Sequence, residues 1–261
     1  MPVTSQRNDA AAHLPWLRRY ARLLTGDARL GDDVAVSSLR AMRANPRTGN
    51  ESVRVALFRT FSRLFNGPAR ADGPGQTNGG LISLASPLSA QAFLLQELEE
   101  LSPEEAARIL GVALPRLREL TEAGAHAIRL ESGRKVLILD TEPLITLEIS
   151  SALEEFGYRI AGTPRTAEAA SALTHSEQPD VIILTSAIRF DIHTAPLALA
   201  EDLQRIGNSS LVLMTGYPQR FLCGQEGEWT FVMPKPFRRA AVAAVVSQAL
   251  RFRREMPRRS P

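Results

Sequence analysis

One cysteine, four histidines and no apolar run near the ~20 residues that span a bilayer set the first limits on this 261-residue chain. Cys223 has no partner for an internal disulfide, which fits a reducing compartment. His13, His126, His175 and His193 are scattered, without the spacing of metal ligands. The opening MPVTSQRNDAAAHLPW has no apolar stretch before a small-residue cleavage site, so a cytoplasmic protein with no membrane association is expected. Aromatic residues make up only 6% of the chain. Glycine and proline gather in one place, NGPARADGPGQTNGG at 66–80, where five Gly and two Pro leave no apolar periodicity.

What is present is an ordinary globular balance, 44% hydrophobic and 23% charged, long enough for two or three domains. The net charge of +3 is unevenly spread. Residues 1–67 carry 11 Arg against 5 acids, whereas residues 84–133 carry 4 Arg against 8 acids. A basic first unit suits nucleic acid or an acidic protein, and the acidic second unit argues against one long DNA-binding face. The C-terminal RFRREMPRRSP reads as a solvated tail.

Apolar residues recur at helical spacing in LPWLRRYARLLTG, DVAVSSLRAMRAN and SVRVALFRTFSRLF, and again after the Gly/Pro stretch. From Lys135 short apolar runs, KVLIL, YRIAGT, DVIIL, SLVLMT and TFVMPK, alternate with helical patterns, which implies a parallel sheet covered on both faces. The expected domains are 1–67, a linker at 68–83, 84–133, 134–255 and a tail at 256–261. Within LSPEEAARILGVALPRLREL, Ser102 as N-cap, Pro103 and Glu105 form a capping box; Ala106, Ile109 and Leu110 face a core and Gly111 makes a turn. This is a helix-turn-helix, unless it is only an antiparallel helix pair. Its second helix, expected over Leu114 to Leu130, matches Arg116, Arg118 and Arg129 with Glu119, Glu122 and nearby Glu131, and so lacks the cationic excess of a DNA-reading helix.

The two helical units resemble regions 2 and 4 of an extracytoplasmic-function sigma factor, GDDVAVSSLRAM being like the polymerase-binding helix and LSPEEAARILGV like region 4. A working sigma factor usually carries a basic, aromatic promoter-melting segment where this chain runs into its Gly/Pro stretch. Phe58, Phe61 and Phe65 recur at spacings of three and four, which suits core packing better than base stacking.

The C-terminal part, with VLILDTEPLITLEISSALEEFGYRIAGTPRTAEAASAL, LVLMTGYP and FVMPKPF, resembles a response-regulator receiver. That implies a flavodoxin-like α/β domain with a five-stranded parallel sheet behind the all-α half. It also implies a cis peptide bond before Pro236. A sigma-like half fused to a receiver resembles the PhyR family of general-stress-response regulators, and HLPWLRRYARLLTG, EPLI, TGYP, KPF and SQAL look like that family. The resemblance implies an anti-anti-sigma factor that is not an enzyme. Its sigma-like half docks on the receiver and, once freed, captures a NepR-type anti-sigma factor; the upstream partner would be a sensor histidine kinase.

The receiver-site positions depart from the resemblance. Asp140 and Thr141 fall where receivers carry an acidic pair, Glu142 follows, and Thr185 falls on the phosphoacceptor aspartate. Thr215 and Lys235 occupy the remaining two positions and read as remnants of chemistry or as strand-end packing. A threonine hydroxyl without a neighbouring base is a very weak nucleophile, so no phosphorylation is expected at Thr185. Asp191, six residues on, would need its loop to fold back to substitute. Asp140 and Glu142 read as solvated acids at a strand end, or as ligands of a weak Mg²⁺ site, and no cofactor is expected. Cys223 reads as an ordinary thiol, and Trp229 as a partner anchor or a tucked loop aromatic. The alternative function is a DNA-binding sigma factor or transcription regulator with a structural receiver, supported by the basic first unit; a phosphate-handling protein with another acceptor is weaker.

Overall fold

The computed structural model describes residues 10–44, 51–67, 85–129, 133–185, 196–222 and 231–255. The expected linker at 68–83, Asp191, His193, Cys223, Trp229 and the tail at 256–261 lie outside the described residues. The chain forms two compact units, Met1–Ala125 and His126–Pro261.

The described elements of the first unit are all helices. α1 (Leu14–Thr25) stops at Gly26, whose φ of 72° is open to glycine and whose N–H closes on the Arg22 carbonyl. α2 (Ala28–Ala44) runs close enough to α1 that a Cβ on Gly31 would lie 2.7 Å from the Arg22 nitrogen. α3 (Val53–Phe65) begins at Ser52, whose hydroxyl accepts from the Val55 N–H. Phe58, Phe61 and Phe65 are buried, with Tyr20 edge-on to Phe58 at 5.2 Å and to Phe61 at 5.4 Å. They build a core and offer no surface to a base.

Asp32 on α2 accepts from Arg18 and from both Nε and Nη2 of Arg22 on α1. Burial works against its ionisation, but these hydrogen bonds and positive charges outweigh it and lower its pKa from 3.8 to about 2. A carboxyl held below its unfolded value stabilises the fold above that value and loses its contribution as pH falls. The first unit should therefore lose about 1 kcal/mol between about pH 4 and about pH 2, allowing for solvent screening. Asp32→Asn should flatten that part of the profile in acid-titrated denaturant melts; an unchanged slope would refute the assignment.

α4 (Pro87–Glu97) starts at Ser86, and its residues Ser89 to Leu95 are buried on every side. α5 (Pro103–Leu110) has the full capping box: the Ser102 hydroxyl accepts from Glu105 N–H, and the Glu105 carboxylate accepts from Ser102 N–H. Its buried stripe is Ala106, Ala107 and Ile109, while Leu110 lies half-buried at the edge next to Gly111, φ 68°. α6 (Leu114–Arg129) completes the helix-turn-helix, with Gly124 tight against Phe93 and the Ser89 carbonyl of α4.

The second unit is a parallel sheet of β1 (Lys135–Leu139), β2 (Arg159–Gly162), β3 (Val181–Thr185), β4 (Ser210–Thr215) and β5 (Val232–Pro234), in the order β2-β1-β3-β4-β5. α7 (Pro143–Glu155) packs against α11 (Arg239–Glu255), and α8 (Ala167–Glu177) against α9 (Pro196–Ile206); α10 (Pro218–Leu222) adjoins β5. Covered faces explain why all five residues of β3 are buried. Chain order reverses direction at β1, so the carboxyl ends of β1 and β3 open onto the crevice where such sheets place their sites.

Candidate functional site

Register brings the receiver-site residues to one end of the sheet. Leu139 pairs with Leu184, which sets Asp140 and Thr185 at neighbouring strand ends; Thr215 pairs with Pro234, just before Lys235. Lys235 also donates its backbone N–H to the Thr215 carbonyl at 2.8 Å, and the bond from Lys235 to Pro236 is cis.

Asp140 is not the solvated acid expected from the sequence: it is 1% exposed. Its Oδ1 accepts from the Glu142 N–H at 2.9 Å and its Oδ2 from Lys235 Nζ at 3.1 Å. The strand end is buried, where a charged group is costly unless paired and hydrogen-bonded. Glu142, immediately before α7, stays exposed with Oε1 3.7 Å from the same ammonium, and Thr141 beside it is exposed. Thr215 is buried with its hydroxyl accepting from the Tyr217 N–H at 3.0 Å, a strand-end hydrogen bond. Thr185 is 1% exposed, and its hydroxyl has no hydrogen-bond partner among the described residues.

Mg²⁺ takes several hard oxygens in near-octahedral geometry. This site offers one buried carboxylate already neutralised by Lys235, one exposed carboxylate and three threonines. Among the described residues no group of three or more His, Cys, Asp or Glu gathers. The described residues do not by themselves fit the ion. An unpaired buried hydroxyl costs about 1–3 kcal/mol, so Thr185→Val, which keeps the shape and removes the orphan, should leave the receiver as stable or more stable by about 1 kcal/mol. A clear loss in chemical denaturation would mean that the hydroxyl serves a partner.

The helical unit carries its own candidate surface. Arg116 on the exposed face of α6 pairs with Glu119 at 2.7 Å. Between α1 and α2 lies a cleft of about 360 Å³ lined by Leu14, Arg18, Asp32, Asp33, Val36, Ser37 and Arg40, within the stretch that resembles the polymerase-binding helix. Sequence reasoning missed Glu99, buried and paired with Arg19 and Arg54, because its partners lie 80 and 45 residues away. No helix among the described residues is long and apolar enough to cross a membrane.

A helix-turn-helix-containing helical half followed by a parallel α/β receiver-like domain defines a response-regulator-like protein with sigma-factor character. Residues 10–62 match the family model for the Sigma2 domain of PhyR, and residues 83–129 that for the sigma-like domain of response regulator PhyR. The chain is 34% identical over 258 residues to the phyllosphere-induced regulator PhyR of Methylorubrum extorquens, covering 95% of each. The chain belongs to the PhyR family. The crystal structure of PhyR from Brucella abortus is similar with a TM-score of 0.77 and 29% identity, covering 94% of this chain and 93% of that one. That of the anti-anti-sigma factor PhyR from Bartonella quintana has a TM-score of 0.78 and 29% identity, covering 94% of this chain and 95% of that one. The Bartonella protein has also been crystallised with the anti-sigma factor NepR.

Proposed function

We propose that this protein is an anti-anti-sigma factor of the general stress response whose helical half binds a NepR-type anti-sigma factor and so releases an extracytoplasmic-function sigma factor. It acts by binding in the cytoplasm, not as an enzyme, and without aspartyl phosphorylation. Family membership supports the partner class. The observation that carries the reading against a DNA-binding one is the use of the basic charge. Arg18 and Arg22 are taken by Asp32, Arg19 and Arg54 by Glu99, and Arg59 by Glu51, while Arg116 on α6 is paired on its own helix. Cations already matched by carboxylates are less available to replace counterions on a phosphate backbone. The lack of phosphorylation rests on Thr185 at the acceptor position and on a carboxylate already matched by Lys235.

The test sets two assays side by side. Purified protein should bind a NepR-type anti-sigma factor and restore transcription by the sigma factor that it inhibits. With core polymerase and a promoter library alone it should yield no promoter-dependent transcript; such a transcript would sink the mimic and favour the DNA-binding reading.

A further inference from the structure

The helical unit consists of two bundles, α1–α3 and α4–α6, joined in sequence through residues 68–84. The Gly/Pro content of that stretch gives no sequence reason for a fixed relation between them. Their seam is partly polar. Glu99, just after α4, is 1% exposed and spreads its two carboxylate oxygens between two cations of the first bundle: Oε1 accepts from Arg19 of α1 at 2.7 Å and Oε2 from Arg54 of α3 at 3.0 Å. The same guanidinium groups reach the chain itself, Arg19 the Leu98 carbonyl at 3.2 Å and Arg54 the Glu99 carbonyl at 2.5 Å. Glu100 takes a left-handed φ of 51°, which non-glycine residues rarely adopt, in the turn where Leu101 N–H closes on the Leu95 carbonyl. A second polar contact crosses the seam where buried Gln91 donates to Asn66 Oδ1 at 2.9 Å.

The triad is poorly built for stability alone. Arg19 is 3% exposed, yet its Nε and Nη1 have no hydrogen-bond partner among the described residues. Desolvating such groups offsets much of the ionic attraction, and apolar side chains of similar volume often stabilise as well or better. What a two-armed ion pair supplies and an apolar contact does not is direction: many apolar packings are close in energy, whereas only one arrangement satisfies both guanidinium groups and both carbonyls. A fixed relation between the bundles matters when one ligand touches both. We propose that Glu99 is a positioning residue for the anti-sigma-binding face, holding the two bundles through Arg19 and Arg54 in the one arrangement that the partner recognises. This rests on the proposed anti-sigma reading.

The test uses the full chain with Cys223→Ser and one spin label on each bundle, at Arg43→Cys on α2 and Glu122→Cys on α6. The triad is kept, replaced wholesale (Arg19→Met, Arg54→Leu and Glu99→Leu together) or changed only by Glu99→Gln. With the triad intact, pulsed dipolar spectroscopy should give one narrow distance. The apolar replacement should melt within a few degrees of the parent, broaden the distance distribution and weaken binding of a fluorescently labelled NepR-type anti-sigma factor ~10-fold or more; Glu99→Gln should broaden and weaken in the same sense. If either folded variant keeps the narrow distance or full affinity, the triad is a stabilising contact only and the proposal is overturned. If distances broaden as expected but the parent binds no anti-sigma factor, the positioning of the bundles stands and the proposed function, with its binding face, falls.

Discussion

Incubation with acetyl phosphate and Mg²⁺ should leave the intact mass of this protein unchanged. An acyl phosphate needs a carboxylate nucleophile, and a cation to carry the charge that develops on the transferring group. Thr185 supplies a hydroxyl with no partner among the described residues, let alone a base, and Asp140 already faces the Lys235 ammonium at 3.1 Å. The expected stoichiometry is zero, against near one for a receiver with the full acidic set. Thr185→Asp alone should recover little, because a new carboxylate beside buried Asp140 without a divalent cation adds repulsion. Thr141→Asp together with Thr185→Asp should recover more. A stoichiometric adduct on the parent protein, at Asp140 or Asp191, would overturn this reading.

Anti-sigma binding should be indifferent to phosphodonor. When a receiver cannot be phosphorylated, any balance between closed and open forms of the chain is set by their own energies or by the differential affinity of the ligand. A closed fraction of ~99% would weaken apparent affinity ~100-fold relative to the sigma-like half, since only the competent fraction binds. Titration of residues 1–133 and of the full chain with the same NepR-type protein should therefore place the fragment at least as tight, by up to ~100-fold, with neither value moved by acetyl phosphate. Full-chain binding that required phosphodonor would contradict both the role of Thr185 and the assignment of a receiver without chemistry.

The features legible in the sequence were those with local or periodic causes. The box of Ser102 and Glu105 is written within four residues, and the structure closes both of its hydrogen bonds. Phe58, Phe61 and Phe65 announce a buried face by spacing alone, and the five strands by their apolar runs. Asp140 shows the limit. Nothing in DTEP says that the first acid is buried and the third residue exposed, because burial depends on where β3 and β5 bring their ends, and Lys235 lies 95 residues away. Glu99 is a stronger case, since an acid in QELEELSP looks like any solvated acid until two arginines from the other bundle close on it. The +6 of the first 67 residues likewise does not record that Arg19 and Arg54 are matched by an acid outside that stretch, Glu99.

Under the proposed reading, a receiver whose third strand ends in a hydroxyl would neither store a phosphoryl group nor shed one as inorganic phosphate. Where several receivers draw on one donor, each intact copy is a sink that slows the others. On that reading, copies of this chain would add no such drain, so its abundance could rise or fall without changing how quickly neighbouring pathways charge and discharge.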